Sequence, residues 1–370
     1  MKLNLLYKCK VLYPKLKSVY KTTIATILKQ QQLITIYKMN SNKDNVLTIP
    51  LPGSKLVLTR YLYVKDEVQT ALLISLLNKS DDALFWAYEL FHSGFQIELL
   101  KSLWKIYYEF FATLNPSFEI YLNKKQTIYL SDLSKREKII ASIVNNLLIR
   151  DFNTDVFMMR KICEMFEKDD DETDELKCKA YEILSTKDPD VPFEKLLSKL
   201  LVKRDSNIVK HDSKKRKTKN FYVQVDPVLV QQYRTLESVK PAYTVLKEAC
   251  KCAVDSEHFL SLFKLERPTN IREKYSDKWL YHASFSPIWF DRIKEHRGYV
   301  DYVKNMVKFV DEDFEEAFYA AYGYEPDEQS TIVKDRAVPI IEKRNTWSTF
   351  YHKFKNDNLI EVSEEELVYF

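Results

Sequence analysis

The thiol and imidazole side chains that lie closest together in the sequence are Cys250, Cys252 and His258. A structural zinc site needs four ligands, usually supplied as two close pairs, and no second pair follows these residues. On a helix, side chains two residues apart point about 200° away from each other, so Cys250 and Cys252 would not face one metal ion. We interpret them as buried helix cysteines, and we predict neither a metal site nor a cofactor.

A loose nuclease-like pattern joins Asp190, which follows Pro189, to Asp212 and Lys214. Metal-dependent nuclease chemistry needs its carboxylates and lysine on ordered, partly buried elements. Asp212 and Lys214 lie instead in a hydrophilic basic stretch, so we do not assign this chemistry to them.

The six histidines never form H-x-H or H-E-x-x-H, so the sequence predicts no catalytic residues. A dispersed site in the C-terminal half stays open as a hypothesis. An unfamiliar enzyme of this kind would use Asp277, His282, Asp291 and His296.

The strongest charge feature is the basic segment from Lys210 to Lys219. Clustered cations can contact phosphates in a salt-dependent, sequence-independent way, or they can form a nuclear-import signal. A solvated linker is the third interpretation, because the net charge of the chain is only +4. The residues that would contact nucleic acid are Lys214, Lys215, Arg216, Lys217 and Lys219.

Composition excludes several classes of protein. The chain has 370 residues and only 4 glycines, too widely spaced for a dinucleotide-binding loop, a Walker loop or a nucleophile elbow. Because tight hairpins commonly use glycine, this scarcity favours helices. Five irregularly spaced cysteines are typical of a reducing compartment. No run of 18 apolar residues occurs, so we expect a soluble protein with no membrane partner.

The first 43 residues contain no acidic side chain. They are rich in Lys, Tyr and Leu, whereas transit peptides are usually rich in Arg and Ser. We interpret residues 1–54 as a basic, disordered N-terminal extension, with Met39 as an alternative start.

Between residues 55 and 203, apolar residues recur at spacings of three and four, which predicts a helical domain. Ser80 and Gly94 are expected to cap the two ends of its second helix. Short turns imply antiparallel neighbours in a helical bundle or an irregular helical-repeat array. The predicted helices span 65–78, 81–92, 96–114, 134–149, 154–166, 175–184 and 193–202.

A basic linker at 204–220 precedes a C-terminal domain at 221–370, which we predict to be α+β and mostly helical. Residues 299–310 alternate around Lys304 and Asn305, which indicates a small hairpin. Gly298 and Gly323 are expected to close helices. The predicted elements are a strand at 221–225, a turn at 226–227, and helices at 241–254, 270–283, 287–296, 312–322 and 346–354. The fold class is therefore mainly α.

Two blocks of sequence carry a resemblance to a known family. The first comprises residues 61–73 (YLYVKDEVQTALL), 83–94 (ALFWAYELFHSG) and 103–109 (LWKIYYE), and the second comprises 279–289 (WLYHASFSPIW) and 322–329 (YGYEPDEQ). With them, the chain from about residue 55 to 370 resembles an uncharacterised protein family of giant nucleocytoplasmic large DNA viruses. The resemblance implies the host cytoplasm or a virus factory, with the virion as a further location, and it supplies no catalytic residues.

These observations favour a non-enzymatic helical interaction protein, a scaffold or accessory subunit of such a virus. It would act with a protein partner in replication, expression or virion assembly. The alternative is a nucleic-acid-binding accessory factor that uses the basic segment at 210–219.

The alternative predicts a steep dependence of nucleic-acid binding on salt. Each phosphate that the basic segment neutralises would release counterions, so affinity should fall sharply between about 50 and 200 mM salt. The measurement is binding to single- and double-stranded nucleic acid, beside a variant in which Lys214, Lys215, Arg216, Lys217 and Lys219 are neutral. Loss of binding in the variant supports the alternative, and salt-insensitive binding that survives the substitutions contradicts it.

Overall fold

The computed structural model of the protein describes residues 56–165, 193–208, 227–234, 278–322, 347–356 and 358. These residues are mostly α-helical, with one π-helical turn, one 3-10 turn and a single two-stranded sheet. The prediction of a mainly α protein with a small β element is confirmed. No helix within these ranges is long and apolar enough to span a lipid bilayer.

The helices of the N-terminal half are α1 (Lys65–Leu77), α2 (Asp82–His92), α3 (Gln96–Ile106), α4 (Phe118–Ser131), α5 (Arg136–Leu148), α6 (Asp155–Met165) and α7 (Phe193–Ile208). The π turn (Tyr107–Phe111) follows α3 directly, and the 3-10 turn (Leu133–Lys135) precedes α5. Farther along the chain lie α8 (Pro227–Arg234), α9 (Pro287–Glu295), β1 (Gly298–Asp301), β2 (Met306–Phe309), α10 (Glu312–Tyr322) and α11 (Trp347–Phe354).

The apolar spacing located most of these helices well. The helices α1, α2, α5, α6, α9, α10 and α11 begin and end within two residues of their predicted bounds, and α7 runs to Ile208 rather than to 202. Residues 278–283 of the helix predicted at 270–283 are helical. The helices predicted at 175–184 and 241–254, the strand at 221–225 and Gly323 lie outside the described residues.

Two helices were not predicted. In α4, exposed Ile120 and Ile128 stand among the buried residues Phe118, Leu122 and Tyr129, so no single apolar stripe marks the helix. Pro227 was interpreted as a turn, but it is the first residue of α8, where a fixed φ and a missing N–H are tolerated.

The third predicted helix is interrupted. Its α-helical part ends at Ile106, and the amide of Ala112 donates to the carbonyl of Tyr107 at 2.8 Å, five residues back. All five side chains of this π turn are buried. The carbonyl of Phe110 accepts instead from the amide of Asn153 at 2.9 Å, which ties the turn to the start of α6.

The main hydrophobic core is built on the α1–α2 pair and on α5. Trp86 of α2 is fully buried, with its ring centroid 4.8 Å from that of Phe85 and 5.5 Å from that of Tyr63. Burying one large apolar side chain stabilises the fold by about 1.5–3 kcal/mol. From the C-terminal end of the chain, α11 joins this core through Phe350, whose ring lies 5.3 Å from that of Phe157.

A second core combines the segment before α1 with α9, α10 and the sheet. Leu58 and Leu62 are buried there with Trp289 and Phe318. The indole Nε1 of Trp289 donates to the carbonyl of Thr59 at 2.9 Å, across 230 positions of sequence. Both cores therefore mix residues from the two predicted domains. The division into 55–203 and 221–370 stays a prediction.

Helix α2 ends as the sequence predicts, in a Schellman motif. Gly94 has φ of 93°, its amide donates to the carbonyl of Phe91 at 3.2 Å, and the amide of Phe95 donates to that of Leu90 at 3.1 Å. At the other end, the hydroxyl of Ser80 accepts from the amide of Asp82 at 3.3 Å. The predicted glycine cap is present, and Ser80 bonds a first-turn amide from one position before the N-cap residue, Asp81.

The predicted role of Gly298 is wrong. Arg297, with φ of 53°, takes the left-handed position after α9, and Gly298 is the first residue of β1. A Cβ on Gly298 would lie 2.7 Å from Cγ2 of Ile293 and 2.9 Å from Cε1 of Phe309. The glycine is thus explained by the close approach of strand and helix, which sequence spacing does not reveal.

Two left-handed helix ends give a matched pair of substitutions. Gly94→Ala should lower the free energy of unfolding by about 2 kcal/mol or more, because φ is unfavourable for alanine and the added Cβ would lie 2.5 Å from Cβ of Pro287. Lys79 has φ of 54° in the same motif at the end of α1, so Lys79→Gly should raise stability by about 0.5–1 kcal/mol. Denaturant titrations followed by circular dichroism measure both changes. Equal stability of Gly94→Ala and the wild type would contradict this account.

Candidate functional site

The residues that the sequence nominated for nucleic-acid contact lie outside the described part of the chain. These are Lys214, Lys215, Arg216, Lys217 and Lys219, and the same holds for Asp277, Cys250, Cys252 and His258. The structure does describe the other three members of the dispersed-site hypothesis, which are His282, Asp291 and His296.

The three described members are held by ordinary packing contacts. His282 is buried, with its ring 5.4 Å from that of Tyr281. Nδ1 of His296 lies 3.0 Å from the carbonyl oxygen of Arg292, and Asp291 is exposed on α9. Among the described residues, no three His, Cys, Asp or Glu side chains are grouped as metal ligands. The enzyme hypothesis gains no support from these contacts.

Two buried ion pairs were not predicted, and the first joins Arg60 to α2. Arg60 Nε donates to Oε2 of Glu89 at 2.9 Å, and the amide of Tyr61 donates to Oε1 at 3.0 Å. The amide of Arg60 also donates to the hydroxyl of Ser93 at 2.9 Å. Both charged side chains are at most 4% exposed. Their hydrogen bonds fix the segment before α1 against α2.

The second pair joins the π turn to α6. Nη2 of Arg160 lies 2.7 Å from Oε1 of Glu109, and the two side chains are 2% and 1% exposed. Removing one partner from such a pair usually costs about 3–5 kcal/mol, because a charge is left in the interior. Since neither pair is open to solvent, we assign both a structural role.

A third polar cluster fastens α8 to α2 and α5. Nε of Arg234 lies 2.8 and 2.9 Å from the two carboxylate oxygens of Glu137, and Nε2 of His92 lies 3.3 Å from Oε1 of the same residue. Tyr88 donates to the carbonyl of Glu137 at 3.1 Å, and the ring of Tyr233 lies 5.3 Å from that of Tyr88. The carboxylate of Glu137, on α5, thus contacts one residue of α2 and one of α8.

His92 is neutral in this cluster at neutral pH. Burial is the main cause that lowers the pKa of His92 from 6.5 to about 4, and the charges of Arg60 and Arg234 lower it further. Glu137 acts in the opposite direction and does not outweigh them. The imidazole therefore contributes packing, with its ring 5.6 Å from that of Tyr88.

The hairpin formed by β1 and β2 presents the most exposed apolar group in the described residues. Among all the described residues, ten large apolar side chains are exposed, and four of these ten lie within residues 299–310. We call these four the hairpin surface: Tyr299 (54% exposed), Val303 (93%), Met306 (41%) and Val310 (65%). Apolar side chains that cluster at a protein surface often mark an interaction site.

The register of the sheet explains this exposure. Gly298 pairs with Phe309 and Val300 with Val307, so these four share one face, which packs on α10 through Phe309. The ring of Phe309 lies 5.1 Å from that of Phe318. Tyr299 and Met306 occupy the opposite face and point away from that core.

Asp301 holds the turn of the hairpin through its side-chain contacts. Its Oδ1 accepts from the amides of Val303 at 3.2 Å and Lys304 at 3.0 Å, and its Oδ2 lies 3.2 Å from Nζ of Lys308. The hydrogen bond from Lys304 and then the contact with Lys308 lower the pKa of Asp301. Asn305 completes the turn with φ of 52°, a conformation that asparagine adopts readily.

An acidic run follows the hairpin surface immediately. The residues are Asp311, Glu312, Asp313, Glu315 and Glu316, and all of them are exposed. Oδ1 of Asp311 accepts from the amide of Phe314 at 3.1 Å, and the other carboxylates lie near the positive end of α10. The sequence predicted the hairpin and α10 but not this combined surface. The exposed positions of the alternating pattern were the signal that could have identified it.

No protein-family model, no curated protein and no solved structure matches the chain. The kinship with giant-virus proteins stays a prediction, and function must be argued from the surface itself.

The His92 cluster predicts how stability depends on pH. The unfolded chain binds a proton at His92 near pH 6.5, whereas the folded protein binds it near pH 4. The stability that neutral His92 contributes is therefore fully present above about pH 6.5. The free energy of unfolding falls by roughly 2–4 kcal/mol as the pH drops from there towards 4. His92→Gln, which cannot be protonated, should flatten the profile in that window.

Denaturant unfolding at several pH values measures this difference. His352→Gln, on the exposed side of α11, is the control and should keep the wild-type profile. Parallel profiles for the wild type and His92→Gln would show that burial of His92 does not shift its protonation.

Proposed function

We propose that the protein is a non-enzymatic helical interaction protein that binds a protein partner through the hairpin surface. The observation that carries this proposal is the grouping of Tyr299, Val303, Met306 and Val310 on one hairpin beside five exposed carboxylates. In line with the sequence resemblance, we propose a scaffold or accessory role in a giant DNA virus, in the host cytoplasm or virus factory.

The sheet supports binding by strand addition. In the described part of the chain the sheet has two strands, so β1 and β2 each pair with one strand neighbour on one edge only. An extended segment of a partner can add to an unpaired strand edge through main-chain hydrogen bonds, while pockets for alternate side chains give specificity. Same-face side chains of the added strand would lie beside Tyr299 if the strand joins β1, or beside Met306 if it joins β2.

The charges favour one kind of partner. Five carboxylates at 311–316 adjoin the hairpin, whereas the hairpin carries the two lysines Lys304 and Lys308. Lys308 is already paired with Asp301. A partner strand that carries apolar residues on one face and basic residues beside them complements this pattern. The same carboxylates would repel phosphates, so this surface favours a protein over nucleic acid. The nucleic-acid alternative concerns the basic segment at 210–219.

A pair of designed peptides tests the proposal. A ten-residue peptide of alternating Val and Lys should bind in a salt-dependent way, and its Val/Glu counterpart should not bind. Replacing Tyr299, Val303 and Met306 together by Ser should weaken binding about 10-fold or more, because apolar contacts at the centre of an interface carry most of its affinity. Fluorescence anisotropy measures the dissociation constants.

The matched control removes exposed apolar surface elsewhere. Ile120→Ser with Ile128→Ser changes two side chains of α4 that are 62% and 39% exposed, and it should leave peptide binding unchanged. Equal binding of both peptides, or equal loss in both variants, would contradict the proposal. Binding of nucleic acid that the hairpin variant leaves intact would direct attention to residues 210–219.

A further inference from the structure

Helix α4 carries apolar residues on two sides. Its inner side buries Phe118, Leu122 and Tyr129 in the main core. Its outer side carries Ile120 and Ile128, which are both exposed. A helix at the surface of a globular protein usually has one apolar side and one polar side, whereas a helix that is apolar all round is usually covered all round. The outer side of α4 therefore has the composition of a contact surface.

Helices α3 and α4 lie side by side and run in opposite directions. At the start of α3, the carbonyl of Gln96 accepts from the hydroxyl of Tyr129 near the end of α4, at 2.9 Å. Farther along α3, the indole Nε1 of Trp104 donates to Oε1 of Gln126. Ile97 is exposed and follows Gln96 directly, so it lies close to the C-terminal end of α4.

Three exposed lysines share the outer sides of these two helices. On α3, lysines occur four and eight residues after Ile97, and on α4 a lysine lies midway between Ile120 and Ile128, so each stands in the same row as an isoleucine. Leu133, in the 3-10 turn that follows α4, is exposed as well. The lysines are Lys101, Lys105 and Lys124.

The acidic residues of these elements already have partners. Glu98 of α3 contacts Nζ of Lys65. Glu119 of α4 lies 2.9 Å from Nζ of Lys195, and Asp132 is paired within its own turn. Among the described residues, none of the three lysines of the outer sides forms an ion pair. The outer sides of α3 and α4 therefore combine apolar side chains with positive charge that is not compensated there.

The exposed rows have the geometry that helix packing uses. Side chains four residues apart form a ridge along a helix, and the ridges of one helix pack into the grooves of another. One such ridge runs along each of α3 and α4. Beside the ridge of α4, the side chains of Asn123 and Thr127 donate to carbonyls of their own helix, each at 3.0 Å. These short side chains leave a groove beside the ridge, where side chains of a further helix can pack.

We propose that this region binds an acidic amphipathic helix of a partner protein. Apolar residues of that helix would cover the isoleucines, as in other complexes in which a helix lies in a groove, and its carboxylates would pair with the lysines. The proposal does not rest on the hairpin surface, which is acidic and would bind a different partner. A chain with both surfaces can connect two partners of opposite charge. We call the region the lysine surface, and its residues are Ile97, Lys101, Lys105, Ile120, Lys124, Ile128 and Leu133.

Fluorescence anisotropy of the full chain with a designed peptide tests the lysine surface. The probe is an 18-residue peptide in which Leu recurs at spacings of three and four and Glu fills the other positions, and its control has the same composition in scrambled order. The ordered peptide should bind about 10-fold or more tightly than the scrambled one. Ile120→Ser with Ile128→Ser should weaken its binding about 10-fold or more, because apolar contacts at the centre of an interface carry most of its affinity.

A second variant tests the charges. Lys101→Gln with Lys105→Gln and Lys124→Gln should weaken binding of the ordered peptide at low salt and flatten its dependence on salt, because screening weakens only the charged contacts. The matched control removes the same charge from three exposed lysines of the C-terminal half and should keep the wild-type salt dependence. The control substitutions are Lys278→Gln, Lys294→Gln and Lys304→Gln.

The hairpin variant with Ser at 299, 303 and 306 should bind the Leu/Glu peptide as the wild type does, which separates this proposal from that of the hairpin surface. Equal binding of the ordered and scrambled peptides, or equal binding by the wild type and the isoleucine variant, would overturn the proposal. Binding to vesicles of anionic lipid without binding to the peptide would overturn it in favour of a membrane surface. Self-association that the isoleucine variant abolishes, without peptide binding, would overturn it in favour of a second copy of the chain.

Discussion

The ion pair between Arg60 and Glu89 is the interaction on which the arrangement of the described elements depends. Glu89 binds the side chain of Arg60 and the amide of Tyr61, so it holds the segment before α1 on α2. Leu58 and Leu62 of the same segment enter the second core with Trp289. The carbonyl of Thr59 accepts from the Trp289 indole at 2.9 Å, which extends the connection to α9. The hairpin surface follows α9 directly, so a buried carboxylate of α2 helps to position it.

The scarcity of glycine constrains how the chain turns. With 4 glycines in 370 residues, left-handed backbone positions fall to other residue types. Lys79, Arg297 and Asn305 occupy such positions at helix ends and at the hairpin turn, and Leu62 does so in the segment before α1 with φ of 64°. A leucine in this conformation is strained, and it is retained because its side chain is 2% exposed in the second core. Packing therefore offsets the strain at that position.

The sequence predicts most of these helices correctly, because burial of one helix face produces a regular spacing of apolar residues that can be counted. It fails at α4, where the face turned to solvent carries Ile120 and Ile128 and so resembles the buried one. Glu89 lies three residues after Trp86 and four residues after Phe85, which places it on the apolar side of α2. This spacing was a detectable sign of a buried charge. Its partner Arg60 is 29 residues away, and nothing in the local pattern identifies it.

The same limit applies to the candidate sites. The hairpin surface follows from a predicted element, because β alternation already assigns Tyr299 and Met306 to one face once the register is known. The environment of Arg150 does not follow from a predicted element. It depends on which basic side chains pair with the nearby acidic residues. Lys79 and Lys195, from α1's end and α7, contact Asp151 and Glu119. An arginine with acidic neighbours in sequence is thus left without a carboxylate partner among the described residues, whereas Arg160 pairs with Glu109.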